Sequence, residues 1–125
     1  MLSINHFVTK YFEERDNGFS NFISGVDLLR NLNQKENIFL LDTSPEISFK
    51  EFHIKGSHNI PLIHLEDSLG TLPRDKKIIV VCYRGQVSIE INMLLKMLGY
   101  ETQYLKDGLR YLSLIEEFKE WVERY

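Results

Sequence analysis

Cys82 is the single cysteine of the chain, and it stands where an apolar run gives way to a tight polar loop, Ile78-Ile79-Val80-Val81-Cys82-Tyr83-Arg84-Gly85-Gln86-Val87-Ser88. Four β-formers in a row read as a strand buried on both faces, as in the middle of a parallel sheet. In open α/β sheets, ligands and chemistry gather at the carboxyl ends of such strands. A helical pattern follows the loop, so backbone N–H groups and the helix dipole favour negative charge on the sulfur. Two readings compete: a nucleophile, or a small buried hydrophobe at a strand end. The loop tilts the choice toward the nucleophile. Gly85 permits torsions that curl successive N–H groups inward into a concave anion site. Ser88 adds a hydrogen-bonding hydroxyl at the helix start, and Arg84 a fixed positive charge at the rim.

The elements that must position this loop are legible on either side of it. Ile4, Phe7, Val8, Tyr11 and Phe12 share one helical face behind a Ser3 cap, and Asn17-Gly18 signals the turn that ends this first helix. Its apolar stripe is expected to dock on the domain. Ser24 and Asp27 form a capping-box pattern ahead of Leu28, Leu29 and Leu32. Ile38 to Asp42 reads as a strand ending in a carboxylate, followed by an amphipathic stretch around Phe49 and Phe52. Gly56 breaks that stretch, and His58-Asn59-Ile60 runs as a short strand into Pro61. After the cysteine loop, Val87, Ile91, Leu94, Leu95 and Leu98 mark a helix that stops at Gly99. Glu101 to Leu105 is a further strand and Asp107-Gly108 a turn. Leu109, Leu112, Ile115, Phe118 and Val122 are expected to form one last helix. Strands alternating with helices at short intervals predict an α/β domain: a central parallel β-sheet with helices on both faces, plus an extra N-terminal amphipathic helix.

Composition narrows the function. With 125 residues the chain is long enough for one domain with a real core. Fifteen Lys and Arg against eighteen Asp and Glu give a net charge of −3, which argues against a nucleic-acid footprint and a polybasic membrane patch. No stretch reads as a membrane helix or a signal peptide, so a cytoplasmic location is expected. With one cysteine there is no internal disulfide and no second thiol to resolve an intermediate on Cys82. His53, His58 and His64 match no common zinc spacing, so no metal site is expected. Asp42 is read as structural, binding neighbouring backbone N–H groups, and Trp121 as packing.

Taken together, the motifs resemble a single rhodanese-homology domain, the rhodanese-like sulfurtransferase family. The resemblance runs from about Ser24 to Leu112, leaving residues 1–17 as a helical extension within one domain of 1–125. It rests on Asp42 with His53-Ile54-Lys55-Gly56-Ser57-His58-Asn59-Ile60-Pro61, on the Cys82-Tyr83-Arg84-Gly85-Gln86-Val87-Ser88 loop, and on Leu98-Gly99-Tyr100 followed by Leu105-Lys106-Asp107-Gly108. The chain also departs from the family pattern. Ser44 stands where an arginine is usual, Phe52 for a glycine, Lys55 for a proline, Asp107 for a glycine and Leu112 for a tryptophan. Val87, five residues after the cysteine, replaces the Arg or Lys that thiosulfate-using members often carry. A valine cannot pair with a sulfonate oxygen.

The resemblance implies a rhodanese-like fold and a sulfurtransferase. Cys82 would take the sulfane sulfur of thiosulfate, polysulfide or a persulfide and pass it from a Cys82 persulfide to cyanide or a thiol, a protein thiol included. Tyr83, Arg84, Gly85, Gln86, Val87 and Ser88 would form the substrate-binding loop. No metal or organic cofactor is needed for this chemistry. Two other classes stand beside it. One is a rhodanese-like module that binds a partner or senses sulfane sulfur without catalysis. The other is an oxyanion phosphatase or arsenate reductase, disfavoured because Ser88 occupies the position of the clamping arginine.

Overall fold

The computed structural model describes residues 3–16 and 21–125. Five short parallel strands make the central sheet. β1 (Phe22–Ile23), β2 (Ile38–Asp42), β4 (His58–Asn59), β5 (Lys77–Val81) and β6 (Thr102–Leu105) lie in the order β1-β6-β5-β2-β4. β5 is central. Ile78, Ile79, Val80 and Val81 are fully buried, in register with Phe39 to Asp42 on one side and, for the first three, with Thr102 to Tyr104 on the other. That is the environment in which an unbroken β-branched run is stable. From β2 the chain proceeds outward to β4, and from β5 it proceeds the opposite way to β6. The crevice between the carboxyl ends of β2 and β5 is therefore the topological switch point.

Helices cover both faces. α2 (Gly25–Asn33) and α6 (Gly108–Leu112) bury Leu28, Leu32, Leu109 and Leu112 with Ile79, Val81 and Leu105 on one side. α4 (Leu62–Ser68) and α5 (Gln86–Met97) bury Leu65, Ile91 and Leu95 with Leu41, Ile78 and Val80 on the other. The Ser24 cap forms as its pattern predicts, accepting the Asp27 N–H at 3.1 Å. α3 (Glu46–Glu51) fills the short span after β2.

Two expectations need correction. The last apolar series is not one helix. α6 ends at Leu112, a 3₁₀ turn spans Glu116–Trp121, and β7 (Val122–Glu123) pairs antiparallel with β3 (His53–Ile54). Leu109, Leu112, Ile115 and Phe118 recur every third residue. That period drifts off one face of an α-helix and suits three-residue turns. The Ser113 hydroxyl also bonds the Arg110 carbonyl at 2.6 Å, where the chain leaves α6.

The stripe of α1 (Ile4–Asp16) is likewise not fully docked. Ser3 caps it as expected, but Ile4, Val8 and Phe12 are exposed and Tyr11 only half-buried. The helix faces the body through a different edge, where the Glu14 carboxylate meets the buried Lys96 ammonium at 3.6 Å. Burial pushes the Lys96 pKa down, and the charge of Glu14 opposes that shift. With Glu14 turned to the body, Ile4, Val8 and Phe12 face outward. The Asn17-Gly18 turn lies outside the described residues. Among the described residues no helix is long and apolar enough to cross a membrane.

Candidate active site

Cys82 follows directly on β5 at the switch point, with its side chain in a cleft of about 260 Å³. One wall comes from the turn after β2, with Thr43, Ser44 and Pro45; the other comes from the loop itself, with Tyr83, Arg84 and Val87. The Thr43 N–H and hydroxyl both reach the Val81 carbonyl, at 3.0 and 3.3 Å, and so tie the two walls together just below the cysteine. The Cys82 residue is 7% exposed, so the thiol is packed yet open to the cleft.

The loop turns at Gly85, whose φ of 85° is left-handed and suits glycine. That turn brings the Gly85 N–H back to within 3.1 Å of Cys82 Sγ. Ser88 Oγ lies 3.5 Å from the sulfur and donates to the Gly85 carbonyl at 3.0 Å. Ser88 is fully buried, so its hydroxyl has few alternative partners. When sulfur carries charge, the Ser88 proton can swing from the carbonyl to the sulfur at small cost, because a hydroxyl rotates about its C–O bond. One amide and one hydroxyl thus converge on one sulfur atom ahead of α5.

A second element holds the loop from behind. Asp107, with φ of 66°, and Gly108, with φ of 76°, turn the chain from β6 into α6. From there the Leu109 N–H donates to the Cys82 carbonyl and the Arg110 N–H to the Tyr83 carbonyl, each at 2.9 Å. The loop and the turn touch through their glycines: a Cβ on Gly85 would sit 2.9 Å from the Gly108 nitrogen. The sequence marks Asp107-Gly108 as a turn but not as a support for Cys82. A glycine in each loop permits that contact, but neither identifies its partner.

The remaining candidate residues fall where their types suggest. Arg84 and Tyr83 are exposed at the rim, and among the described residues Arg84 makes no ion pair. Gln86 opens α5 and Val87 forms part of the cleft wall. The three histidines lie in different settings. The His53 Nδ1–H donates to the Phe49 carbonyl at 2.6 Å, while Nε2 lies 3.2 Å from Glu123; His58 stacks on Phe39; His64 lies beyond the cleft on α4. The Trp121 Nε1–H donates to Asn33 Oδ1 at 3.1 Å while its ring packs on the core.

Asp42 is fully buried at the end of β2 and accepts the Ser44 N–H at 2.9 Å through Oδ1, while among the described residues Oδ2 has no hydrogen-bond partner. Burial pushes its carboxyl above the ordinary carboxylate value, against the opposing pull of the Ser44 N–H and of His53. The folded chain therefore binds this proton more tightly than the unfolded chain does. The associated stability is fully present in acid and is lost as pH rises through the raised value. Asp42→Asn keeps the Oδ1 acceptor and removes the charge. Its melting temperature should exceed that of the parent by a few degrees at neutral pH, with the gap closing in acid. A variant less stable than the parent at neutral pH, with the deficit closing in acid, would show that the ionised carboxylate is required.

Comparison with known proteins fits this geometry. The thiosulfate sulfurtransferase GlpE of Shewanella oneidensis is 28% identical over 83 residues, covering 66% of this chain and 82% of that protein. The reduced CoADR-RHD of Bacillus anthracis superposes with a TM-score of 0.72 and 25% identity over 94% of this chain, which spans only 20% of that one. A rhodanese-related protein of Thermoplasma volcanium gives a TM-score of 0.70 and 26% identity, over 75% of this chain and 91% of its own. The sequence model of the rhodanese-like domain matches residues 25–113, from the start of α2 to the end of α6, and the chain, with its parallel sheet and its cysteine at the end of β5, belongs to the rhodanese-like domain family.

Proposed function

We propose that this chain is a sulfurtransferase that moves sulfane sulfur from a donor to a thiophilic acceptor through a persulfide on Cys82. The observation that carries the reading is the Gly85 N–H, 3.1 Å from Cys82 Sγ, in an open cleft at the switch point. In the first half-reaction the Cys82 thiolate attacks the outer sulfur of the donor. A Cys82 S–S bond forms, the donor's S–S bond breaks, and its electron pair leaves with the departing thiolate or sulfite. In the second, the acceptor attacks the outer sulfur and returns Cys82 as thiolate, so kinetics are ping-pong. The Gly85 amide, already aimed at the sulfur, and the Ser88 hydroxyl, once rotated from the Gly85 carbonyl, stabilise sulfur charge in both halves. Ser88 fills the place where an oxyanion-clamping arginine would stand, which disfavours phosphoryl or arsenate chemistry. A reducing compartment such as the cytoplasm suits a reaction that depends on one free thiol.

The test is the mass of the protein after treatment with a sulfane donor, followed by cyanide. The expected result is a gain of one sulfur, lost as thiocyanate. No gain with any donor would leave a non-catalytic binding module as the better reading, with the cysteine a packed side chain.

Val87 bears on the choice of donor. Its isopropyl group lines the cleft where a cation would meet a sulfonate, so thiosulfate should be a weak donor. In Val87→Arg the apparent KM for thiosulfate should fall about tenfold or more, since a well-placed charge-assisted contact contributes about 1.5–3 kcal/mol. An unchanged KM in a folded variant would exclude this position from donor recognition.

A further inference from the structure

The Cys82 cleft does not stop at its own rim. Thr43, Pro45 and Val87 are shared walls with a second, larger groove of about 380 Å³. That groove continues along the first turn of α4, past Pro61, Leu62 and Ile63. Leu62 and Ile63 are 49% and 84% exposed, which is unusual for large aliphatic side chains placed side by side. Among the described residues, no lysine or arginine lines the groove. Of its two titratable side chains, Glu46 is paired with Lys50 at 3.2 Å, and His64 follows the aliphatic pair on α4. The surface leading to the sulfur is therefore concave, apolar and short of charge. Its size falls within the range of small-molecule sites.

We propose that the donor is a small persulfide with a neutral apolar body, which lies along Pro45, Leu62, Ile63 and Val87 while its outer sulfur reaches Cys82; this rests on the sulfurtransferase reading. The apolar body leaves water for the groove, and burial of each methylene lowers the free energy of the complex. A charged or zwitterionic body would lose hydration along Leu62 and Ile63, where no described lysine or arginine lines the groove; Arg84 stands in the Cys82 cleft, on the other side of the shared wall. The transfer step is Cys82–S⁻ + R–S–SH → Cys82–S–SH + R–S⁻. The Cys82 S–S bond forms, the donor S–S bond breaks, the proton stays on the transferred sulfur, and the electron pair leaves on the body's thiolate. No further oxidant or reductant enters.

The experiment compares three donors by the rate at which the protein gains one sulfur. Inorganic hydrogen disulfide has no body, cysteine persulfide has a zwitterionic body, and benzyl persulfide has an apolar one. The KM for benzyl persulfide should lie roughly tenfold below that for cysteine persulfide, the effect of burying about two methylenes' worth of surface. Ile63→Asp should collapse that ratio toward unity, and Ile63→Leu should restore it; the high exposure of Ile63 makes both variants compatible with folding. Equal KM values for the two organic donors, or a ratio unchanged in Ile63→Asp, would overturn the assignment while hydrogen disulfide still loads Cys82. Failure of all three donors to load Cys82 would instead overturn the sulfurtransferase reading, and this inference with it.

Discussion

Cys82→Ser is expected to reduce sulfur transfer by at least about three orders of magnitude, with no gain of mass from any donor, while the fold persists. The chemistry requires a nucleophile that is anionic near neutral pH and able to form a sulfur–sulfur bond. A serine hydroxyl meets neither condition. There is no other thiol in the chain to take over the role. The fold should survive because a serine oxygen can accept the Gly85 N–H that now points at sulfur, and can meet Ser88 Oγ as the sulfur does. The carbonyl of residue 82 would still receive the Leu109 N–H. Melting temperature should therefore change by only a few degrees. A serine variant that kept most of its activity would refute the persulfide mechanism.

How much of this site could be read from sequence follows from where each part of the loop gets its shape. The run Ile78 to Val81 has no polar residue, so only a central buried strand suits it, and that placed Cys82 at a carboxyl end. Gly85 marked the turn because it alone in the loop reaches positive φ without strain. The inward curl itself rests on a long-range contact. Gly108 is separated from Gly85 by all of α5 and β6, and nothing local in either segment announces that they touch. The apolar groove was hidden for a similar reason. Leu62 and Ile63 carry no local mark of a cleft, and it is the parallel β2–β4 pairing that brings α4 beside the cysteine cleft. The misjudged C-terminal helix shows the limit of periodicity. A three-residue apolar period satisfied a helical template, while the pairing of Val122 with Ile54 depended on a strand distant in sequence.

That distant contact gives the second large expected effect. Gly108→Ala should unsettle the cysteine loop more than any change to an exposed side chain. A Cβ at this position falls on the Tyr83 carbonyl oxygen and lies 2.5 Å from the Gly85 nitrogen and 2.6 Å from the Arg84 carbonyl carbon. All three are backbone atoms, so no rotamer change relieves the overlap. The φ of 76° adds about 1–2 kcal/mol for any L side chain. To make room, α6 must retreat from the loop. The bonds from Leu109 and Arg110 to the Cys82 and Tyr83 carbonyls would then lengthen, at about 1 kcal/mol each. The total, about 3–4 kcal/mol, is a large part of the stability of a domain this size. A fall of about 10 °C or more in melting temperature is expected. Sulfur loading should drop about a hundredfold even below the new transition, because the Gly85 amide leaves the sulfur it now faces. Asp107→Gly is the matched control. Asp107 already holds a φ of 66°, and glycine there removes strain without adding an atom, so stability should hold or rise slightly and loading should be unchanged. If Gly108→Ala melted and loaded like the parent, the turn before α6 would not be what shapes the Cys82 loop, and the support for this sulfur would have to come from within the loop alone.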